Sequence, residues 1–307
     1  MPHNAPRYGL IEAGGTKFVL GIAAAPQGQE PPVILARHQI PTTTPDQTLS
    51  EAISWFRAQD CAFAGIGIAA FGPLDLNPDS PNWGHVTRTP KPQWSNADLC
   101  GPFAKAFACP VALETDVNGA ALAEARWGAG KDLAPARQAS AKSALLYLTI
   151  GTGVGGGFVA GGRLLHGLSH PEMGHIRMPR HADDTGFAGT CPFHGDCLEG
   201  LASGPAIIQR WGQSLSELGP DHPAQTIIAW YLGQAIATFQ AILEPGRIVL
   251  GGGVMGTPGL LGQVRVAANR AGAGYFVGQA DEVVVVPALG ANSGLLGALA
   301  VALSSTS

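Results

Sequence analysis

Charged side chains are scarce in this 307-residue chain: Asp, Glu, Lys and Arg together make up 13% of it, and the 18 Lys and Arg never gather into a run. With a formal net charge of −4, the chain lacks the electrostatic footprint that nucleic acid or an anionic membrane requires, so a small neutral or anionic metabolite fits better as a partner. Cysteine is sparse too. Five occur, an odd number scattered from Cys61 to Cys197, which argues against a disulfide framework and points to a reducing compartment. No charged segment followed by an apolar one opens the chain, and no stretch approaches the roughly 18 apolar residues of a membrane span. These absences together predict a soluble, cytoplasmic protein.

Apolar residues and glycine are plentiful, at 46% hydrophobic with 43 Gly. A chain of this length and composition can bury a large core and is expected to form two domains. The glycines fall at the ends of short apolar runs, the pattern of tight turns leaving buried strands. Strands are predicted at 8–13, 18–23, 33–39, 64–69, 111–113, 144–150, 156–160, 247–250 and 282–287. Helices are predicted at 48–59, 99–108, 118–127, 224–243, 260–271 and 293–303. Alternation of this kind indicates an α/β fold. YGLIEAGGTKFVLGIA and LYLTIGTGVGGGFVAG share a plan of strand, glycine-threonine turn and second strand, so the two halves look duplicated. The expected division is 1–117 plus 290–307 for one domain, the last helix returning to the first half, and 118–289 for the other.

Backbone N–H groups exposed in a glycine turn can point at phosphate oxygens, and a threonine hydroxyl adds a donor. Gly14, Gly15, Thr16 and Lys17 form one such turn, and Gly151, Thr152 and Gly153 another. Neither fits the P-loop pattern or the dinucleotide-binding fingerprint. Each alone reads equally as a hairpin turn; as a pair they suggest a phosphate site. A third run, RIVLGGGVM, ends a strand in glycines that leave bare backbone for a flat base. In VALETDVNGAALAEARWG a strand runs into a helix with Asp116 at the junction. That is the edge where open α/β sheets bind ligands. Asp116 there is either a helix cap or a general base for a hydroxyl attacking phosphorus. Asp75 and Asp98 lie in polar or Pro-rich surface loops.

His175, Cys191, His194 and Cys197 form an H-x15-C-x2-H-x2-C array, suited to a tetrahedral zinc with four protein ligands, which is a structural rather than a catalytic site. His170 and His181 are rival ligands by spacing. The ion would order the core-poor stretch from His170 to Gly204. The second ring nitrogen of His175, with Glu172 and Glu199, offers groups for vicinal hydroxyls.

The set EAGGTKF, GIGIAAFGPLD, ETDVNGAALAE, TIGTGVGGG, PEMGH, CPFHGDCLEGLASGPA and VLGGGVM, in this order over nearly the whole chain, resembles the ROK sugar kinases, and among them the bacterial fructokinase type. The resemblance implies the two-domain ribonuclease H-like ATPase fold of actin, hexokinase and Hsp70, with Mg·ATP between the domains. It implies Asp116 as catalytic base, with Glu172, His175, Glu199 and Gly72 toward the sugar. Gly14 to Lys17 and Gly151 to Gly153 would face phosphates, and Gly252 and Gly253 the adenosine. It also implies zinc on His175, Cys191, His194 and Cys197, and a homodimer. The expected reaction converts fructose and ATP to fructose 6-phosphate and ADP. A kinase for glucose, mannose or an N-acetylhexosamine, and a non-catalytic sugar-sensing regulator, are the alternatives. Where relatives place Asn before the catalytic Asp, this chain has Thr115.

Overall fold

The computed structural model describes residues 5–26, 28, 30–89, 91–133 and 144–304. In chain order the elements are β1 (Arg7–Ala13), β2 (Lys17–Ala24), β3 (Ile34–Pro41), α1 (Pro45–Arg57), β4 (Gly65–Ala70), α2 (Gly101–Phe107), β5 (Val111–Thr115), α3 (Asp116–Trp127), β6 (Leu145–Ile150), β7 (Val154–Ala160) and β8 (Arg163–Leu164). They continue with α4 (Leu198–Ala202), α5 (Gly204–Trp211), α6 (Leu215–Leu218), α7 (Pro223–Leu243), β9 (Arg247–Gly251), α8 (Leu260–Gly272), α9 (Ala280–Val283), β10 (Val284–Val285) and α10 (Ser293–Ser304).

The chain separates into two compact units, one of Met1–Lys131, Leu164–His170 and Ala288–Ser307, the other of Asp132–Arg163 and Pro171–Pro287. Helix α3, expected at the start of the second domain, lies in the first, and residues 164–170 rejoin that unit as well. The reason is packing. Gly119 of α3 and Gly297 of α10 meet backbone to backbone, a Cβ on Gly297 falling 2.8 Å from the Gly119 carbonyl carbon, so α3 cannot leave the unit that holds α10.

In the first unit the sheet order is β3-β2-β1-β4-β5, with β1 antiparallel to β2 and parallel to β4, and β4 parallel to β5. β4 is wholly buried and β1 nearly so from Tyr8 onward, which is why GIGIAA and YGLI read as apolar runs. Helix α10 covers this sheet, and a Cβ at Gly67 of β4 would land on the Ala298 carbonyl oxygen. Aromatic edges fill the opposite layer, Phe56 standing roughly perpendicular to Phe63, Phe103 and Phe107. The fully buried Glu124 carboxylate accepts from the amides of Ala129, Ala288 and Leu289 and from Ser293 Oγ, tying α3 to the approach to α10. A buried charge is tolerable only with such a full set of donors.

In the second unit the order is β10-β9-β6-β7-β8, with β6 antiparallel to β7 and parallel to β9. The plan of the first sheet thus recurs: a central strand, a glycine hairpin on one side and a parallel neighbour on the other. Helix α7 is apolar nearly all round and packs against α8 where Gly233 meets Ala267. Contrary to the sequence expectation, α7 has the length and hydropathy of a membrane span, yet 61% of its most apolar 18-residue stretch is buried inside the protein. Burial of this kind is that of a core helix. The strand expected at 282–287 shrinks to the two residues of β10, preceded by the helical turn α9 with Asp281 and Glu282 in its first turn.

Candidate active site and metal cluster

In the first unit the carboxyl ends of three adjacent strands share one sheet edge, since Ala13 of β1 sits beside Ala70 of β4, and Ala70 beside Thr115 of β5. Adjacent strands are about 4.8 Å apart. The Gly14–Lys17 turn, the Phe71–Gly72 exit from β4 and Asp116 therefore emerge side by side, a juxtaposition the sequence reading did not draw. The turn closes through Gly14 N donating to Lys17 O at 3.0 Å, and its outer side is held by Thr42, whose Oγ1 donates to Gly14 O at 2.7 Å and whose amide donates to Thr16 O at 3.0 Å. A Cβ at Gly14 would sit 2.8 Å from Lys17 O, whereas one at Gly15 meets nothing within 4 Å. Gly15, Thr16 and Lys17 are exposed. The turn is thus rigid at its base and open at its tip. Just before it, burial pushes the Glu12 carboxyl up, with Arg37 and Lys17 acting in the other direction.

Asp116 is not the cap of α3. Thr115 is, its hydroxyl accepting from Asn118 N at 3.2 Å, so the residue that departs from the family pattern has the capping work and Asp116 stands exposed in the first turn. Asp116 Oδ1 accepts from Val117 N at 2.8 Å. Beneath it lies a network that sequence reasoning missed. The buried Glu114 accepts from Asn118 Nδ2 at 2.9 Å and from Thr115 N at 2.9 Å, and its other oxygen meets His166 Nε2 at 2.7 Å. That hydrogen bond holds the His166 imidazole above the ordinary histidine value, against the opposing effect of burial. No signal in the sequence linked residues 114 and 166.

In the second unit, Gly151 N donates to Gly153 O at 2.9 Å across the β6–β7 turn, with Thr152 exposed at its tip. Two residues on the α4–α5 segment brace it: Gly204 N donates to Gly151 O at 2.7 Å, and Glu199 Oε2 accepts from Val154 N at 3.0 Å. Glu199, expected among the sugar contacts, has one oxygen committed to the end of the Gly151–Gly153 turn. The glycines after β9 come to the same place, the position of a Gly151 Cβ lying 3.8 Å from Gly253 N. Gly252 has φ +90° and a Cβ there would collide with the Ile150 backbone, while Gly253 has open space. Bare backbone at this point suits a flat or anionic group.

His175, Cys191, His194 and Cys197 bring their ligand atoms within 4.8 Å of one another. The Sγ of Cys191 lies 3.7 Å from His175 Nδ1 and 3.6 Å from His194 Nδ1, and the Sγ of Cys197 lies 3.5 Å from His175 Nδ1. A tetrahedral ion with ordinary zinc–sulfur and zinc–nitrogen bonds places S and N about 3.5 Å apart, so donor set and spacing both fit. Burial pushes the Cys197 thiol up to about 11, and a bound dication acts in the opposite sense. The rivals go elsewhere: His181 accepts from Asp183 N and lies edge-on to Trp230, and His170 lies near Gly72 in the first unit. With Nδ1 facing the thiols, His175 Nε2 is 4.0 Å from Glu172 Oε2, the pairing the sequence suggested.

Comparison with known proteins finds relatives over nearly the whole chain. The ROK family model matches residues 8–305. A fructokinase of Zymomonas mobilis is 46% identical, covering 99% of this chain and 99% of its own, and a putative fructokinase of Bacillus subtilis is 40% identical over 96% and 94%. Among solved structures, a ROK hexokinase from Thermus thermophilus matches with TM-score 0.74 at 27% identity, covering 98% and 99% of the two chains. A ROK glucokinase from Streptomyces griseus in complex with glucose and AMPPNP has the same fold, TM-score 0.73 at 23% identity over 98% and 100%. The fold is the actin-like ATPase fold.

Proposed function

Since the chain belongs to the ROK family, we propose that it is an ATP-dependent fructokinase, passing the γ-phosphoryl group of ATP to fructose and releasing fructose 6-phosphate and ADP. The observation that carries the assignment of roles is the first unit's sheet edge, where Asp116, relieved of capping by Thr115, emerges two strands from the Gly14–Lys17 turn. Asp116 accepts the proton of the sugar hydroxyl and aims its oxygen at phosphorus. The exposed amides of Gly15 and Thr16 and the amides of the Gly151–Gly153 turn stabilise phosphate oxygens, with no covalent intermediate needed. Mg²⁺, arriving with ATP, supplies neutralising charge to the phosphates. Gly252 and Gly253 leave room for the adenosine.

His175 Nε2 and Glu172 are assigned to the sugar hydroxyls, with Gly72 and the second Glu199 oxygen completing that set. The four-residue cluster is assigned to structural zinc, which holds His175 in one orientation through Nδ1. The reading extends to a homodimer in the cytoplasm, and light scattering on the purified protein tests the dimer.

The test is ADP release coupled to a spectroscopic readout with fructose, mannose, glucose and N-acetylglucosamine, for wild type and Asp116→Asn. Fructose is expected to turn over fastest, and the variant to lose about 10²- to 10⁴-fold in kcat, the usual contribution of a positioned base, with an unchanged thermal midpoint. Faster turnover of another sugar reassigns the substrate. No sugar-dependent ADP release from a folded, metal-loaded protein removes the kinase reading and leaves a sugar-binding regulator.

A further inference from the structure

Lys91 lies in the long connection between β4 and α2, well past Gly72, and was not among the site candidates read from the sequence. Its ammonium donates to the Gly15 carbonyl oxygen, on the first glycine turn. The backbone that carries it is fixed from both sides. Lys91 N donates to Thr89 Oγ1 at 3.3 Å, and Trp94 N donates to Lys91 O at 3.2 Å. Trp94 is itself fully buried: its ring packs on Phe18 at 5.5 Å and on Phe71 at 5.4 Å, and its Nε1 donates to Thr43 O at 2.8 Å. Phe18 directly follows the turn and Phe71 directly follows β4. The connection is therefore nailed to the same sheet edge that holds Asp116, with Lys91 delivered over the turn.

The partner of the ammonium is a neutral carbonyl, and among the described residues no carboxylate lies within ion-pair distance of it. An ammonium has three donors, so two remain for an incoming anion beside the amides assigned above to phosphate. We propose that Lys91 is a phosphate ligand of the reaction, binding the phosphoryl group during transfer and then the phosphate of the sugar product. This rests on the sugar-kinase reading above. In that reaction the sugar oxygen forms a bond to the γ-phosphorus, the bond from that phosphorus to the β–γ bridging oxygen breaks, the hydroxyl proton goes to Asp116 and ADP leaves. Lys91 moves no proton. It contributes charge where negative charge accumulates, a role for which lysine serves as a point cation in phosphoryl transfer.

The competing role is a latch that merely pins the connection to the turn, and Lys91→Gln separates the two. The glutamine amide still donates to a carbonyl but carries no charge. For Lys91→Gln, kcat is expected to fall about 10²-fold, in line with loss of one charged donor. Its affinity for fructose 6-phosphate, read by calorimetry, is expected to weaken at least tenfold while that for fructose stays within about twofold. Lys91→Arg is expected to restore most of both. Wild-type turnover and product affinity in Lys91→Gln would overturn the proposal and leave a latch. Absence of fructose-dependent turnover in the wild type would instead overturn the kinase reading and this proposal with it.

Discussion

The two glycine turns share a backbone plan and differ in what holds them. Each lies between the two strands of an antiparallel hairpin, and the strand leading into it has a parallel neighbour on its other side. The first turn is braced by Thr42 and Lys91, side chains from connections anchored in the aromatic core. The second is braced from α4 and its junction with α5, by Glu199 and Gly204. Helix α4 begins immediately after Cys197, a member of the metal cluster and the cap residue of that helix. A five-residue helix has little stability of its own. On the zinc assignment proposed above, the second turn would depend on an ion that the first does not need.

That difference can be tested at three levels. Stripping the metal from the whole protein with a chelator has the largest expected effect. A structural site contributes several kcal/mol to folding, and about 2–4 °C accompanies each kcal/mol in units of this size, so the thermal midpoint is expected to fall by on the order of 10 °C. Limited proteolysis should then cut first within residues 171–204. Cleavage starting instead in the first unit would dissolve the contrast.

Glu199→Ala is expected to be milder, leaving the metal bound but freeing Val154 N. The lost acceptor is expected to cost about 1–3 kcal/mol, read as a rise of about tenfold or more in KM for ATP. In Glu199→Gln, whose amide oxygen still accepts, the KM for ATP should stay near wild type. Equal damage from both substitutions would assign Glu199 to the sugar alone.

The smallest effect expected is that of pH on the Glu114–His166 pair in the first unit. The folded imidazole titrates above its unfolded value, so its contribution to stability is fully present below about pH 6.5 and is lost as pH rises through the folded value. Comparing the denaturation midpoints of wild type and His166→Gln should show a gap that is widest near pH 6 and narrows on the alkaline side. A gap independent of pH would mean the bond matters without its charge.

Much of this was legible in the amino-acid order because its cause is local. Strands β1, β4, β6 and β9 are largely apolar runs that end in glycine or alanine or, for β6, run directly into Gly151, and the candidate metal ligands share donor-type side chains within a short span. Boundaries set by long-range packing were not legible: α3 belongs with α10 because two glycines let their backbones touch. The same holds for polar pairs far apart in the chain. Glu124 finds its donors at 288–293, Glu114 finds His166, and Lys91 finds Gly15. A charged residue in a polar stretch says nothing about where its partner will come from. Asp116 lies between these cases. Sequence left it as cap or base, and the Thr115 hydroxyl on Asn118 N removes the cap while the base stays a proposal.

The chain passes between the units at 131/132, 163/164, 170/171 and 287/288. During synthesis, then, the unit begun first is finished last. Its sheet emerges early, but β1 and β4 wait with an uncovered apolar face until α10 leaves the ribosome, while the second unit can already close around α7. A chain cut before Ser293 is therefore expected to strip the cover from a sheet made more than two hundred residues earlier.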